Sequence, residues 1–167
     1  MNRQARLYIG SVVFAGCMTV LAALAQTGWG NSTLFITYLV AAVASSGMKI
    51  SLPTVRGTLS VNFLFILLSI TELTLFQSLI VGCSAVIWQY ICHAGERPEW
   101  IKVAFNLTSI CCALGLSKQV DLLILAHWSD LAIPLHLGAI ATVYYMANTG
   151  SVAMVIGLTE RRNFITG

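Results

Sequence analysis

Residues Lys49–Phe76 read KISLPTVRGTLSVNFLFILLSITELTLF, a basic, proline-containing stretch that runs into an apolar segment carrying a single carboxylate, Glu72. From Leu59 to Phe76 there are about 18 residues, close to the roughly 20 that a helix needs to cross the hydrocarbon core of a bilayer. At about 100° per residue, Thr58, Asn62, Ser69 and Glu72 fall within roughly an 80° arc, so the segment predicts a helix with one polar stripe. Lipid offers no hydrogen bonds. The stripe must therefore face other helices or a watered cavity.

Outward from this stretch, the chain is uniformly apolar. Of its 167 residues 57% are hydrophobic and 9% charged, with a mean hydropathy of +0.84, against roughly 25% charged in an ordinary soluble domain. The composition predicts an all-α, polytopic integral membrane bundle that forms one domain. A second soluble domain of about 100 residues has no room. The net charge of +3 includes no basic run of the kind that binds nucleic acid.

Hydrophobic segments bounded by charge or turn residues predict six transmembrane helices, at about 7–25, 34–50, 59–76, 79–92, 101–117 and 135–158. The first run ends in Ala23-Leu24-Ala25, which also fits a signal-peptidase site. It is longer than the usual signal core of about 7 to 15 residues, which favours a retained span. The second is short and is expected to continue through Lys49 with its amine snorkelling to the interface. Pro53 and Gly57 predict a turn near the membrane surface, and Gln77-Ser78 a tight connection between the third and fourth spans. Trp100 is placed as an interfacial aromatic. Lys118–Pro134 is too polar to span and reads either as a segment along the surface or as a soluble loop.

This layout puts Arg3, Arg6, Lys49, Arg56, Arg97, Lys102, Arg161 and Arg162 at one set of helix ends and Lys118 alone at the other. By the positive-inside rule both termini are cytoplasmic, as for a multi-pass protein of a bacterial inner membrane. No inverted repeat relates the two halves. The N-x-S/T matches at Asn31 and Asn106 carry little weight, the latter lying within a span.

Further polar stripes are drawn for Gln77, Ser84 and Trp88, for Asn106, Ser109 and Ser117, and for Tyr144, Asn148 and Ser151. Together they predict a polar interior. Glu72, Asn62, Ser69, Lys118, Asn148 and Tyr144 are the candidate ligand-binding residues, lining a pocket open to the outside. A Glu72–Lys118 ion pair is expected near the outer surface. The competing reading makes the same groups interhelical glue that binds nothing. The five cysteines read as small buried hydrophobes, since they form no CxxC pair or metal-ligand spacing. His93, His127 and His136 lack a second ligand at helical spacing, so the sequence identifies no cofactor. No catalytic set of nucleophile, base and acid can be drawn, and enzymatic chemistry is not expected.

At the opening stretch, Lys49-Ile-Ser-Leu-Pro, Gly57-Thr-Leu-Ser-Val-Asn-Phe-Leu-Phe-Ile-Leu67 and Glu72-Leu73, followed by Ala104-Phe-Asn106 and Gly157-Leu-Thr-Glu160, form a wording similar to one family. It resembles the N-terminal membrane region of bacterial signalling proteins, of the acidobacterial kind, that carry GGDEF, HD-GYP or histidine kinase output domains. The arrangement of spans is also similar to substrate-binding subunits of energy-coupling-factor transporters, an analogy of fold. The resemblance implies a ligand-sensing module that passes occupancy to a cytoplasmic output domain, with further hydrophobic helices beyond Glu160. The alternatives are a small accessory subunit of a larger membrane complex and, more weakly, a transporter substrate-binding subunit. Expected partners are the lipid bilayer, an output domain or complex subunits, and a second copy in a homodimer.

Overall fold

A computed structural model of the chain describes residues 3–26, 28–47, 49–51, 58–92, 100–128 and 132–160. They form α1 (Arg3–Ala25), α2 (Ser32–Ser45), β1 (Lys49–Ser51), β2 (Thr58–Ser60), α3 (Asn62–Glu72), α4 (Leu75–Cys92), α5 (Trp100–His127) and α6 (Ile133–Glu160). The fold is helical apart from one antiparallel ribbon, in which Lys49 pairs with Ser60 and Ser51 with Thr58. Helices α1, α4, α5 and α6 are long and apolar enough to cross a membrane, whereas α2 and α3 are shorter apolar helices.

Local chemistry accounts for the boundaries. Asn31 starts α2 by accepting hydrogen bonds from the Thr33 and Leu34 amides at 3.0 and 3.3 Å, so this sequon asparagine is a helix cap. The helix stops at Ser45, short of the expected 34–50. Ser46 folds its amide and hydroxyl back on the Val43 carbonyl, Gly47 follows, and Lys49–Ser51 takes up strand pairing in place of a further helical turn. The turn expected at Pro53 and Gly57, Arg56, the His93–Pro98 loop residues with Arg97, and Arg161 and Arg162 lie outside the described residues.

The connection expected at Gln77-Ser78 lies instead at Leu73-Thr74. There Thr74-Leu-Phe-Gln77 is a capping box: the Thr74 hydroxyl accepts from the Gln77 amide, and the Gln77 carboxamide accepts from the Thr74 amide, both at 3.3 Å. Beyond Ser117, α5 continues as a helix to His127, about 42 Å in all. This replaces the surface segment or loop expected over much of Lys118–Pro134. Pro134 sits in the first turn of α6, where its missing N–H costs no helical hydrogen bond.

Helix α5 is central. In the most apolar stretches of α4 and α5, 44% of residues are buried, against 11% for α1 and α6, so α1 and α6 are peripheral. The main core joins Ile66, Leu67 and Ile70 of α3, Leu79 and Val86 of α4, Ile110 and Leu114 of α5, and Ile140 and Tyr144 of α6. A smaller core beneath α2 joins Ala42 to Leu73, Val81 and Ala85. Helices α1 and α5 approach through reciprocal small residues. A Cβ on Gly16 would lie 2.8 Å from Thr108 Cβ, and one on Gly115 would lie 2.6 Å from Thr19 Cγ2. Such close approach is how helices attract in lipid, where apolar contact alone drives little association.

Contacts along the bundle show that successive helices alternate in direction. The starts of α1, α3 and α5 and the ends of α2, α4 and α6 gather at one end. There Ala5, Tyr90, Ile101 and Ile156 share a groove, Asn62, Gln89, Asn106 and Asn148 share a cavity, and Gln89 Nε2 donates to the Ser46 carbonyl. At the other end Tyr38 meets Glu72, and Lys118 meets Ile70.

Candidate functional site

Two polar constellations occupy opposite ends of the α3–α5–α6 core. The first is ionic. Asp121 lies on α5, three residues beyond Lys118 and therefore on the same helical face. Its carboxylate is 1% exposed and accepts from Lys118 Nζ at 3.0 Å; His136 Nε2 of α6 lies 2.9 Å from its other oxygen. Lys118 also donates to the Ile70 carbonyl. That carbonyl belongs to the last turn of α3, which carries the negative end of the helix dipole and has no intrahelical donor to spare. One buried carboxylate thus ties the last third of α5 to the first turn of α6 and, through Lys118, to the C-terminal end of α3.

The expected Glu72–Lys118 pair does not form. Lys118 has an acid one helical turn along its own helix, and Glu72 is exposed, accepting a 2.7 Å hydrogen bond from the Tyr38 hydroxyl of α2. Among the described residues no group of three or more His, Cys, Asp or Glu could hold a metal ion. His127 is exposed, with Nδ1 3.1 Å from the Leu123 carbonyl, and His93 lies outside the described residues.

The second constellation is uncharged. Asn62 opens α3, Gln89 lies near the end of α4, Asn106 near the start of α5, and Tyr144, Asn148 and Thr149 on α6. With Phe63, Ile66, Val86, Ile110 and Tyr145 they line a cavity of about 280 Å³. This is near the lower limit of small-molecule pockets. Among the described residues, no carboxylate, amine, guanidinium or imidazole lines it. The rings of Phe63 and Tyr144, 5.4 Å apart, form an aromatic wall. Tyr145 and Thr149 are exposed, so the cavity opens sideways between α3 and α6.

Among the described residues Asn148 Oδ1 is buried with no hydrogen-bond partner. A buried amide oxygen left unmade costs about 1–3 kcal/mol, so this atom is complementary to a donor placed in the cavity. Gln77 Nε2 and Ser117 Oγ are also buried without partners, but neither lines this cavity.

Of the six candidate residues, Asn62, Tyr144 and Asn148 line the cavity, while Lys118 belongs to the ionic cluster. Ser69 is buried and donates to the Ile66 carbonyl, and its own carbonyl accepts from the Ser78 hydroxyl at 2.7 Å. The six therefore do not share one outward pocket. Asn62 and Glu72 lie on one helical face but about 15 Å apart along its axis.

Several functional candidates were absent from the expected set. Asp121 and His136 form the ionic cluster, and Gln89 and Asn106 complete the cavity. The expected stripes on α5 and α6 do meet, through a Ser109–Ser151 hydroxyl hydrogen bond, whereas Trp88 is exposed on the outside of the bundle. The cysteines are mixed: Cys111 is buried and 3.7 Å from Cys83, sulfur to sulfur, while Cys17 and Cys92 are exposed.

Comparison with protein-family models, curated proteins and solved structures finds no match to this chain.

Proposed function

We propose that this chain is a membrane-embedded sensory or ligand-binding module, with the amide-lined cavity as its ligand site. The observation that carries the reading is Asn148 Oδ1, a buried acceptor without a partner on the wall of an uncharged, partly aromatic cavity. Carboxamides in such a setting suit a small neutral molecule that presents hydrogen-bond donors beside an apolar face. Residues Asn62, Asn106, Tyr144 and Asn148 hold it in this reading. Glu72, Ser69 and Lys118 fasten helices at the other end.

The same reading takes the six helices as six passes of a bacterial inner membrane, with both termini cytoplasmic. Support comes from the alternating helix directions and the charge distribution. Occupancy is passed to a cytoplasmic partner, such as an output domain, through helix ends around the cavity. The alternative of an accessory subunit in a larger complex draws on one observation. Gly150, Ala153 and Gly157 lie exposed on one side of α6, with open space where Cβ atoms would extend from the two glycines, a surface suited to a further helix.

The test is a thermal-shift screen of purified protein with small neutral amides, ureides and polyols, together with mass spectrometry of co-purified molecules. A hit is expected to raise the melting temperature of the wild type and of Glu72→Gln, but not that of Asn148→Leu or Asn62→Leu. A shift retained in both asparagine variants would remove the cavity from the site, and migration from native membranes only as part of a large assembly would favour the accessory subunit.

A further inference from the structure

The amide-lined cavity specifies more than a neutral occupant. Asn62 of α3, Asn106 of α5 and Asn148 of α6 each bring a carboxamide to its wall, and Tyr144 a phenol. Asn62 is 5% exposed and Tyr144 4%. Even so, among the described residues no hydrogen bond engages any of these four side chains. Polar groups so deeply placed normally pair within the protein. Three helices thus deliver uncommitted polar groups to one cavity.

The chemistry of a carboxamide narrows what can answer it. Its oxygen accepts and its nitrogen donates, side by side in one plane. It is matched in full by a group with a donor and an acceptor on the same edge, as when asparagine pairs with the edge of adenine. An open-chain secondary amide does not offer this, because its trans bond points N–H and C=O in opposite directions. A ring lactam does, since the ring holds its amide cis.

Size and walls fit a flat ring. At about 30 Å³ for each water-sized group, 280 Å³ holds roughly nine non-hydrogen atoms, one heterocycle with its exocyclic oxygens or amines and no attached sugar. The rings of Phe63 and Tyr144, inclined at 53° to each other, give it an aromatic face for stacked or edge contacts. Among the described lining residues none is charged, so a phosphate or carboxylate on the ligand would find no counter-ion there.

We propose that the cavity selects a planar cyclic lactam of nucleobase size. Asn148 Oδ1 accepts the ring N–H and Asn148 Nδ2 donates to the adjacent ring carbonyl, while Asn62 and Asn106 serve the remaining polar positions and the ring lies against Phe63 and Tyr144. This rests on the cavity being the ligand site proposed above, and adds the class of ligand.

The test titrates the full chain in mild detergent by calorimetry with four probes. Uracil and the bicyclic hypoxanthine carry lactam edges; 1,3-dimethyluracil keeps the ring and its carbonyls but has no N–H; N-methylacetamide is an open-chain trans amide. At least one of the two lactams is expected to bind, one per chain. The dimethyl compound should bind at least tenfold more weakly than uracil or hypoxanthine, within the usual penalty for a buried acceptor left unmade, and N-methylacetamide more weakly still. Asn148→Leu should weaken lactam binding by at least tenfold and, without a probe, melt no lower than the wild type, because it removes an unmade acceptor. Should that variant fail to fold, the comparison of methylated and unmethylated rings on the wild type decides. Failure of both lactams to bind, or equal binding of 1,3-dimethyluracil, would overturn the lactam assignment. If acyclic amides or polyols alone gave a shift that Asn148→Leu abolished, the cavity would stand as the ligand site and only the lactam class would fall. Lactam binding undiminished in Asn148→Leu would overturn both.

Discussion

Replacing Asp121 with alanine removes the shared acceptor of the ionic cluster and leaves two half-buried basic groups facing a void. The carboxylate is 1% exposed, and the side chains of Lys118 and His136 are 14% and 18% exposed. Breaking a buried pair by deleting one partner costs about 3–5 kcal/mol. The lower value applies here, because Lys118 keeps the Ile70 carbonyl and both basic groups retain some exposure. About 3 kcal/mol corresponds to an unfolding equilibrium shifted by more than a hundredfold.

Replacing the whole cluster with apolar residues behaves differently. Asp121→Leu combined with Lys118→Met and His136→Leu is expected to lie within about 1 kcal/mol of the wild type, or above it, because no charge is left unpaired. The measurement is reversible unfolding in bicelles for each single, double and triple variant, giving the Asp121–His136 coupling between α5 and α6 from a double-mutant cycle. Coupling near the average of about 0.6 kcal/mol for hydrogen bonds between membrane helices would refute the reasoning. So would a triple variant no more stable than Asp121→Ala.

The α1–α5 contact predicts that Gly115→Val, whose Cβ would come within 2.6 Å of Thr19 Cγ2, destabilises by about 1–3 kcal/mol. Pairing it with Thr19→Gly should recover most of that loss in the same unfolding assay. Cys83 and Cys111, 3.7 Å apart between sulfurs on α4 and α5, are expected to be the first thiols lost together to a membrane-permeable oxidant. Maleimide labelling followed by mass spectrometry would then show two of the five cysteines protected. Protection of Cys17 or Cys92 instead would count against the helix packing.

The helical fold, with helices long and apolar enough to cross a membrane, was legible because it rests on run lengths and charge, which act along the sequence. Helices α1, α4 and α6 occupy nearly the expected segments, whereas α5 runs ten residues beyond Ser117 to His127. The misplaced boundaries were set by local hydrogen bonds that an apolarity scan passes over. Thr74 and Gln77 carry the spacing of a capping box in plain view, but both lie in an apolar context that reads as continuous helix. The Lys118-x-x-Asp121 step looked too polar to remain in a bundle. It does remain, because each charge meets its opposite one turn away and His136 arrives from α6.

The site was legible by angle and not by depth. A 3.6-residue period tells which face Asn62, Ser69 and Glu72 share, and two of these three are indeed buried. It does not tell that about 15 Å of axis separates Asn62 from Glu72, nor which residues of α5 and α6 stand level with each. That level is fixed by packing between helices far apart in sequence. Ser109 meets Ser151, and Asp121 meets His136. Between these two contacts α5 advances by twelve residues while α6 retreats by fifteen, as two antiparallel helices must. The register they set carries Asn106 to the level of Asn148 and leaves Lys118 a full cluster away. Polar residues that appear as one stripe on every span are thereby sorted into a neutral cavity at the basic end of the bundle and an ionic clasp at the other.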